Sequence, residues 1–203
     1  MCGICGRINY NKQEVHTVDI QSMMDCMKYR GPDDEGVLLN NNVSLGFVRL
    51  SIIDLSAAGH QPMQDERGRY VLVFNGEIYN YIEIRKELTE LGMVCHTKTD
   101  SEVLLKAYMQ WGEACLDKFN GMFAFVIYDT QENVLFGARD RFGIKPFYYV
   151  QTDTCFIFAS EIPALLKNDI IKAEVNNQVM FDFLVFNRTD QTEATFFKGI
   201  HKL

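Results

Sequence analysis

The sequence predicts an α+β fold in which short strands form antiparallel sheets and a few amphipathic helices cover them. Alternating or continuous apolar runs recur at short intervals along the chain, as expected for strands. Turn-forming residues separate several neighbouring runs by only a few positions, and connections this short join antiparallel rather than parallel strands. Apolar residues at helical spacing lie between the runs, and the two kinds of segment together pack as α+β layers.

The predicted elements follow one another without a repeat or a low-complexity tract over the first 170 residues. Strands are predicted at 3–9, 36–39, 43–49, 70–75, 122–128, 134–139, 147–150 and 156–159. Apolar residues at helical spacing predict helices within 20–27, 84–91, 104–111 and 179–186. We expect the segment after 194 to trail off with Phe196 and Phe197 exposed, which suggests a piece of a longer chain.

Composition excludes several classes of protein. The 203 residues are 47% hydrophobic and 23% charged, which is ordinary for a globular domain. Twenty Lys and Arg against 27 Asp and Glu give a net charge of −7, which argues against a nucleic-acid or anionic-membrane binder. No apolar run approaches the ~20 residues that cross a bilayer, and no signal peptide is recognisable. We therefore expect a cytoplasmic protein.

Cys2 is the first residue that suggests chemistry. Removal of Met1 would leave a thiol and a free α-amine on one residue. The α-amine has an ordinary pKa of about 7.7–8.0, which suits a base that activates a neighbouring nucleophile at neutral pH. Cys2 and Cys5 also have the C-x-x-C spacing of a redox motif or half a zinc site, but neither a preceding strand nor a second closely spaced pair supports those alternatives.

Three further strings carry polar groups at the ends of predicted strands. Asn75 and Gly76 close an apolar run, and a side-chain amide beside a glycine N–H offers two donors for one oxyanion. The alternative for this pair is a simple turn. Arg30 lies among turn formers and could fix a loop, and Arg49 ends a strand where a bidentate carboxylate contact is feasible.

Longer motifs occur in the order and spacing of one family. They begin at Cys2 (CGI), Arg30 (RGPD), Arg49 (RLSIID), Asn75 (NGEIYN), Thr99 (TDSEV), Asn120 (NGMFAF), Ala138 (ARDRFGIKPFYY) and Ala159 (ASE). Up to about Leu166 the chain resembles the glutaminase domain of asparagine synthetases, a class II N-terminal glutamine amidotransferase. The resemblance implies a four-layer αββα N-terminal-nucleophile hydrolase sandwich. It implies a glutaminase domain at 1–175, then at 176–203 a helix and the start of a linker to a synthetase domain.

The resemblance also assigns roles to matching positions. Cys2 is expected to be the nucleophile that attacks the glutamine amide, with Asn75 and the N–H of Gly76 as the oxyanion hole. Arg49 is expected to hold the α-carboxylate of the substrate. Asp100, with help from Glu77, is expected to hold the α-ammonium, and Asp100 also fits a helix N-cap.

The implied partners are L-glutamine and the chain's own C-terminal synthetase domain, and a homodimer is left open. No cofactor or metal is expected for the glutaminase half, whereas ATP and Mg are implied for the synthetase domain. Neither nucleic acid nor membrane is an expected partner. Two alternatives remain: the glutaminase domain of another amidotransferase, with a sugar-phosphate or phosphoribosyl acceptor, or a non-catalytic module that binds glutamine.

Two loops are interpreted more conservatively. His60 lies in a loop that the family brings near the pocket, although a structural role is the simpler interpretation. The charged residues Arg139, Asp140, Arg141 and Lys145 fit either an interdomain face or a salt-bridged turn around Gly143.

Overall fold

A computed structural model describes residues 1–203 as two antiparallel sheets flanked by helices. The strands are β1 (Gly3–Asn9), β2 (Asp34–Asn40), β3 (Val43–Arg49), β4 (Met63–Gln64), β5 (Tyr70–Ile78), β6 (Gly121–Asp129), β7 (Val134–Arg139), β8 (Tyr148–Gln151), β9 (Cys155–Ala159) and β10 (His201–Lys202). The α-helices are α1 (Thr17–Asp25), α2 (Tyr81–Glu90), α3 (Asp100–Trp111), α4 (Ile162–Leu165) and α5 (Asn177–Phe186). Short 3₁₀ helices cover Ala57–Gly59 and Gly112–Lys118. None of the helices has the length and hydropathy that a membrane crossing requires.

The strands form one six-stranded sheet in the order β10-β8-β9-β1-β3-β2 and one four-stranded sheet in the order β4-β5-β6-β7. Short hairpins join β2 to β3, β6 to β7 and β8 to β9, as the turn-rich connections predict. The predicted bounds of β1, β3 and β7 agree with the structure.

Side chains of each sheet alternate between two apolar layers. Ile4 and Leu45 of the six-stranded sheet meet Val73 and Val126 of the four-stranded sheet in a buried cluster between the sheets. The opposite face of the six-stranded sheet packs under α1, where Met24 and Val48 are fully buried. These two faces differ because successive residues of a strand point to opposite sides.

The helices complete the outer layers. α1 contacts β1, β3 and α4 on the outside of the six-stranded sheet, whereas α3 contacts β5 and α2 on the outside of the four-stranded sheet. Leu104 of α3 and Ile84 of α2 pack there against Phe125. The layers are therefore helix, sheet, sheet and helix, and the predicted α+β sandwich of αββα type is confirmed.

The structure corrects the turn interpretation of Asn75 and Gly76. β5 does not end at Asn75 but runs to Ile78, because its pairing with β6 continues through Gly76 opposite Phe123. A local turn signal is overridden here by a long-range ladder.

The expectation that the last residues trail off exposed is wrong. Thr195 and Ile200 are buried, and Phe197 is half-buried against the cluster under α1. The hydroxyl of Thr195 donates to the carbonyl of Ile200 at 2.8 Å, and His201 then pairs with Tyr149 as β10. β4 and α4 were not predicted from the sequence, because they are too short to produce a periodic pattern.

Candidate active site

Cys2 and Arg49 reach the same end of the inter-sheet space from adjacent strands. In the β1–β3 ladder Gly3 lies opposite Val48, so the same register brings Cys2 opposite Arg49. Cys2 lies two positions before the inward-facing Ile4, and Arg49 two positions after the inward-facing Phe47, so both share the inward face of their strands. Cys2 itself packs against the inter-sheet cluster. The nucleophile candidate and the charged end of β3 therefore face the second sheet.

The thiol of Cys2 is half-buried and held by backbone groups. The N–H of Leu50 donates to Cys2 Sγ at 3.4 Å, and the carbonyl of Leu50 lies 3.6 Å from the same sulfur. Burial raises the pKa of the Cys2 thiol, while the Leu50 hydrogen bond and the positive charges of the N-terminus, Arg49 and Lys145 lower it. Burial outweighs them, so the pKa of the thiol lies above its ordinary value, and the thiolate, which is the nucleophilic form, needs a base.

Arg30 fixes the chain around Cys2. Its carbonyl accepts a hydrogen bond from the N-terminal nitrogen of Met1 at 3.0 Å. Its side chain donates from Nε to the carbonyl of Cys2 at 3.0 Å and from Nη1 to Glu161 Oε1 at 2.7 Å. The guanidinium is buried, so the loop role expected of Arg30 is confirmed by three contacts.

The second sheet contributes a free edge of β5. The N–H of Phe74 donates to Gln61 Oε1 at 2.6 Å, and that of Ile78 donates to Asp100 Oδ2 at 3.0 Å. Because alternate N–H groups of a strand face the same edge, the N–H of Gly76 lies between these two and lines a cavity. A Cβ at position 76 would come 2.4 Å from the carbonyl oxygen of Met122, so only glycine fits.

Asn75 lies on the face of β5 that looks toward the first sheet. Its side chain is 1% exposed, and Nδ2 has no hydrogen-bond partner. Buried amide nitrogens are rarely left without an acceptor. This side chain is therefore available to a negatively charged or carbonyl oxygen that enters the inter-sheet space. Glu77 follows on the same face and is half-buried.

Arg49 lines the cavity and also organises the loop that closes it. Its guanidinium donates to the carbonyl of Ser56 at 2.8 Å and to the carbonyl of Asp54. A Cβ at Gly59 would lie 2.1 Å from Nη2, so the loop packs directly on the charged group. The guanidinium has five donors, and the two contacts leave others for a ligand. The bidentate contact with a protein carboxylate is not formed, because backbone carbonyls take that place.

Asp100 begins α3 at the wall of the cavity. The N-cap is Thr99 rather than Asp100, since the hydroxyl of Thr99 accepts the N–H of Glu102 at 3.2 Å. The side chain of Asp100 is 5% exposed, and burial raises its pKa to about 6. The hydrogen bond from Ile78 opposes that shift, and the nearby charge of Glu77 adds to it. A cationic ligand group would lower the pKa again.

The cavity combines groups that suit one kind of ligand. It is bounded by β3, by the loop after β3, by the edge of β5 and by the start of α3, and its polar lining includes Arg49, Gln61, Gly76 and Asp100. Arg49 supplies a positive charge, while Asp100 and the nearby Glu77 supply negative charge. An α-amino acid carries one charge of each sign and can satisfy both ends of this site. Cys2 borders it through Leu50.

The structure adds three neighbours of the site that the sequence did not predict: Leu50, Gln61 and Lys145. Leu50 acts through its backbone, and Gln61 through a bond to a strand edge, so neither leaves a side-chain pattern. Lys145 is buried, and its ammonium lies 3.6 Å from Met1 Sδ. It belongs to the motif that begins at Ala138, which was interpreted only as a turn or an interdomain face.

The turn from 139 to 145 is real, but its charged residues form no ion pair with one another; the one ion pair of the turn joins Arg141 to Asp117, at 4.0 Å. The Asp140 carboxylate accepts the N–H groups of Phe142, Ile144 and Lys145 at 3.2, 2.9 and 2.9 Å. Arg139 donates to the carbonyls of Gly143 and Lys145. Within the turn, hydrogen bonds between charged side chains and the backbone take the place of the expected ion pairs.

Other candidate residues face away from the cavity or contact it indirectly. Cys5 is fully buried beneath α1, on the face of β1 opposite to Cys2, so the two thiols cannot act together. His60 is exposed and its Nδ1 contacts Asp34 Oδ2 at 2.8 Å, in line with a structural role. A larger cavity of about 590 Å³ opens at the other end of the inter-sheet space, but no charged side chain lines it.

The comparisons with known proteins agree with this geometry. The family described as a glutamine amidotransferase domain matches residues 1–203. Asparagine synthetase [glutamine-hydrolyzing] 3 from Bacillus subtilis is 39% identical over 208 residues, which cover 100% of this chain and 33% of the relative. Asparagine synthetase [glutamine-hydrolyzing] 1 from the same organism is 42% identical over 192 residues, 92% of this chain and 30% of the relative. The chain thus spans about a third of these curated relatives.

A solved structure shares the fold at low sequence identity. Glutamine phosphoribosylpyrophosphate amidotransferase from B. subtilis, complexed with ADP and GMP, superposes with a TM-score of 0.69 at 19% identity. The match covers 81% of this chain and 43% of the other. It supports the two-sheet sandwich described above.

Proposed function

The chain belongs to the family of glutamine amidotransferase domains, and we propose that it hydrolyses L-glutamine to glutamate and ammonia. The observation that carries the proposal is the convergence of Arg49 from one sheet with Gly76 and Asp100 from the other side of one cavity, which Leu50 also lines. The N–H of Leu50 holds the Cys2 thiol beside that cavity. An amino-acid substrate bound between Arg49 and Asp100 would extend its side-chain amide toward Cys2.

In the proposed reaction, Cys2 is the N-terminal residue after Met1 has been removed. Its α-amine takes the thiol proton, and the sulfur attacks the amide carbon of glutamine. The carbonyl oxygen becomes an oxyanion, which accepts hydrogen bonds from Asn75 Nδ2 and from the N–H of Gly76. The C–N bond then breaks, the α-ammonium returns the proton to the leaving nitrogen, and ammonia departs from a thioester.

Water completes the cycle. The α-amine takes a proton from water, whose oxygen adds to the thioester carbon. The C–S bond breaks, glutamate leaves, and the thiolate of Cys2 recovers the proton. The unpartnered Nδ2 of buried Asn75 supports its assignment, because a buried donor without an acceptor in the free chain is available to the oxygen of the substrate amide and binds it more strongly once it becomes an oxyanion.

In a longer protein the ammonia would reach a synthetase domain that amidates aspartate with ATP and Mg. This proposal derives from the names of the relatives and from their greater length. ATP and Mg would belong to that domain, and the glutaminase half would need neither. The six free cysteines favour a cytoplasmic setting, in which thiols stay reduced.

The test is glutamate release from glutamine by the chain without Met1, with the N-terminus checked by mass spectrometry. We expect release from the unmodified chain and none from Cys2→Ala. The matched control is Cys95→Ala, which removes a half-buried thiol outside the site and should keep the activity. Activity that survives in Cys2→Ala would overturn the proposal.

A further inference from the structure

Lys145 is a buried cation without a counter-ion in contact. Its residue is 6% exposed, and the only polar side-chain atom that its ammonium contacts is Met1 Sδ, at 3.6 Å. A thioether is a weak acceptor that carries no charge. Buried lysines are rare unless they are paired, because removal of the ammonium from water costs free energy. No carboxylate therefore contacts the ammonium directly.

Two hydrogen bonds fix the backbone of Lys145 and thereby restrict where its side chain can lie. Its N–H donates to Asp140 Oδ2 at 2.9 Å, and its carbonyl accepts from Arg139 Nε at 2.6 Å. The same Asp140 oxygen accepts the N–H of Phe123 on β6 at 3.2 Å. These bonds tie the turn after β7 to the second sheet, and from there the ammonium extends to the N-terminal segment.

The charges around Lys145 and Cys2 are few. Burial lowers the pKa of the Lys145 ammonium, and the positive charge of Arg30 lowers it further. The negative charges of Cys2, Glu77 and Asp140 raise it. The pKa of the Cys2 thiol is lowered by the positive charges of the N-terminus, Arg49 and Lys145. Asp140 is already occupied by backbone donors, and Glu77 forms no contact ion pair with Lys145. The remaining anion is the thiolate of Cys2.

We propose that Lys145 is the cation that stabilises the Cys2 thiolate. The proposal rests on the proposed function, because it takes Cys2 as the nucleophile of the chain without Met1. When the thiol proton moves from Sγ to the α-amine, Lys145 keeps its own proton and faces the new negative charge. Removal of Met1 also removes the thioether contact, which leaves the ammonium free to approach the sulfur.

The first test is the pH dependence of Cys2 alkylation by iodoacetamide, measured on the chain without Met1 and without glutamine. A nearby opposite charge shifts a pKa by about 1–3 units. Lys145→Met should therefore move the midpoint of the labelling rate upward by about 1–3 pH units, and Lys145→Arg should restore it. The matched control is Lys106→Met, which removes another buried lysine, paired with Glu66 rather than with the thiol. An unchanged midpoint in folded Lys145→Met would overturn the proposal.

A second measurement compares two reagents on the same samples. Iodoacetate carries a negative charge and iodoacetamide does not. A cation beside Cys2 therefore raises the ratio of the iodoacetate rate to the iodoacetamide rate. We expect the ratio to fall in Lys145→Met and to recover in Lys145→Arg; equal ratios in all three chains would contradict the inference. If Lys145→Met fails to fold, as judged by near-UV circular dichroism, Lys145→Gln replaces it.

The two proposals fail in different ways. A labelling midpoint that depends on Lys145 in a chain that releases no glutamate would refute the glutaminase and leave the thiolate contact supported. Normal glutamate release with a midpoint independent of Lys145 would refute the thiolate contact alone.

Discussion

The environment of Asp100 predicts how substrate binding depends on pH. Its carboxyl is buried at the start of α3 with a pKa raised to about 6. A raised pKa means that the group is neutral below about 6 and ionised above it. Only the ionised form attracts the α-ammonium of an amino acid, so binding should weaken as the pH falls through that value.

We predict that kcat/KM for glutamine falls more steeply below about pH 6, where neutralisation of Asp100 adds to protonation of the Cys2 α-amine, because this quantity reports the ionisation of the free enzyme. Asp100→Asn should raise KM and abolish that limb of the profile. Glu77→Gln is the comparison, since the Glu77 charge raises the Asp100 pKa and its loss should move the limb to lower pH. An identical limb in Asp100→Asn would show that another group titrates.

A second residue-scale prediction concerns Met1. With Met1 attached, the nitrogen of Cys2 is an amide that cannot accept a proton, so the thiol loses its base. General-base assistance contributes about 10²–10⁴-fold, and the unprocessed chain should lose activity on that scale. The measurement is glutamate release from two preparations, with and without Met1, both verified by mass. Equal rates would contradict the role of the Cys2 α-amine as the base.

At the scale of elements, the loop after β3 shows that Arg49 has more than one contact to maintain. Its guanidinium binds the carbonyls of Asp54 and Ser56 and lies against Gly59. The loop and the charged group therefore hold each other in position. Disturbing the loop should change how the substrate carboxylate is bound without touching the thiol.

We predict that Gly59→Ala raises KM for glutamine and leaves iodoacetamide labelling of Cys2 unchanged. The added methyl would lie 2.1 Å from Arg49 Nη2, so the guanidinium must move. Ala58→Ser changes the exposed neighbour in the same loop and should leave KM unaltered. Arg49→Ala should give the larger increase in KM. A drop in labelling that matches the drop in activity would mean that the loop supports Cys2 instead.

α5 is an element with little covered surface, although Phe183 packs edge-on against Phe196. None of its residues is buried, and Phe181, Leu184, Val185 and Phe186 are all exposed. A helix that is apolar on all sides is normally buried in an assembly. We predict that the chain self-associates at high concentration and binds an apolar dye, and that Phe181→Lys with Leu184→Lys reduces both without loss of glutamate release.

Sedimentation velocity and dye fluorescence measure this effect. Val18→Lys is the control, because Val18 is an exposed apolar residue on α1 outside the α5 surface. A chain that stays monomeric, with dye binding equal to that of the double variant, would contradict the prediction.

The sequence predicted the elements where a local pattern decides them, and missed those that depend on distant pairing. The alternation in β3 defines its bounds, whereas the end of β5 depends on Gly76 pairing with Phe123, which the local turn signal of Asn75 and Gly76 conceals. For the site, the family motifs predicted Cys2, Arg49, Asn75 and Asp100, and these roles stay predictions. The buried ammonium of Lys145 could not be predicted, because the turn after β7 returns to the N-terminus only in the folded chain.

At the scale of the whole molecule, the site joins parts that the fold otherwise holds together mainly through apolar packing. The inter-sheet cluster brings Val73 against Ile4, while the cavity at its end is lined by Arg49 from one sheet, Gly76 from the other and Asp100 from α3. A ligand that contacts all three bridges both sheets and a covering helix. Binding should therefore stabilise the whole sandwich rather than one loop.

The last prediction is that glutamine raises the melting temperature of Cys2→Ala, a variant that should bind the substrate without hydrolysing it. A ligand at 100 times its Kd stabilises the folded state by about 2.7 kcal/mol, and a domain of this size gains about 2–4 °C per kcal/mol, so we expect a rise of about 5–10 °C.

The rise should be larger at pH 7.5 than at pH 5, because Asp100, with a pKa of about 6, is ionised only at the higher pH. In the free chain the folded pKa of Asp100 lies above the unfolded value, so its protonated form stabilises the fold at low pH. That stabilisation is lost as the pH rises from about 4 to 6 and the buried carboxyl ionises. The α-ammonium of the ligand offsets this loss. Scanning fluorimetry on Cys2→Ala and on Cys2→Ala with Arg49→Ala measures both effects, and the double variant should show a much smaller rise. A rise of equal size in the two variants, or one that is larger at pH 5, would exclude the binding mode between Arg49 and Asp100.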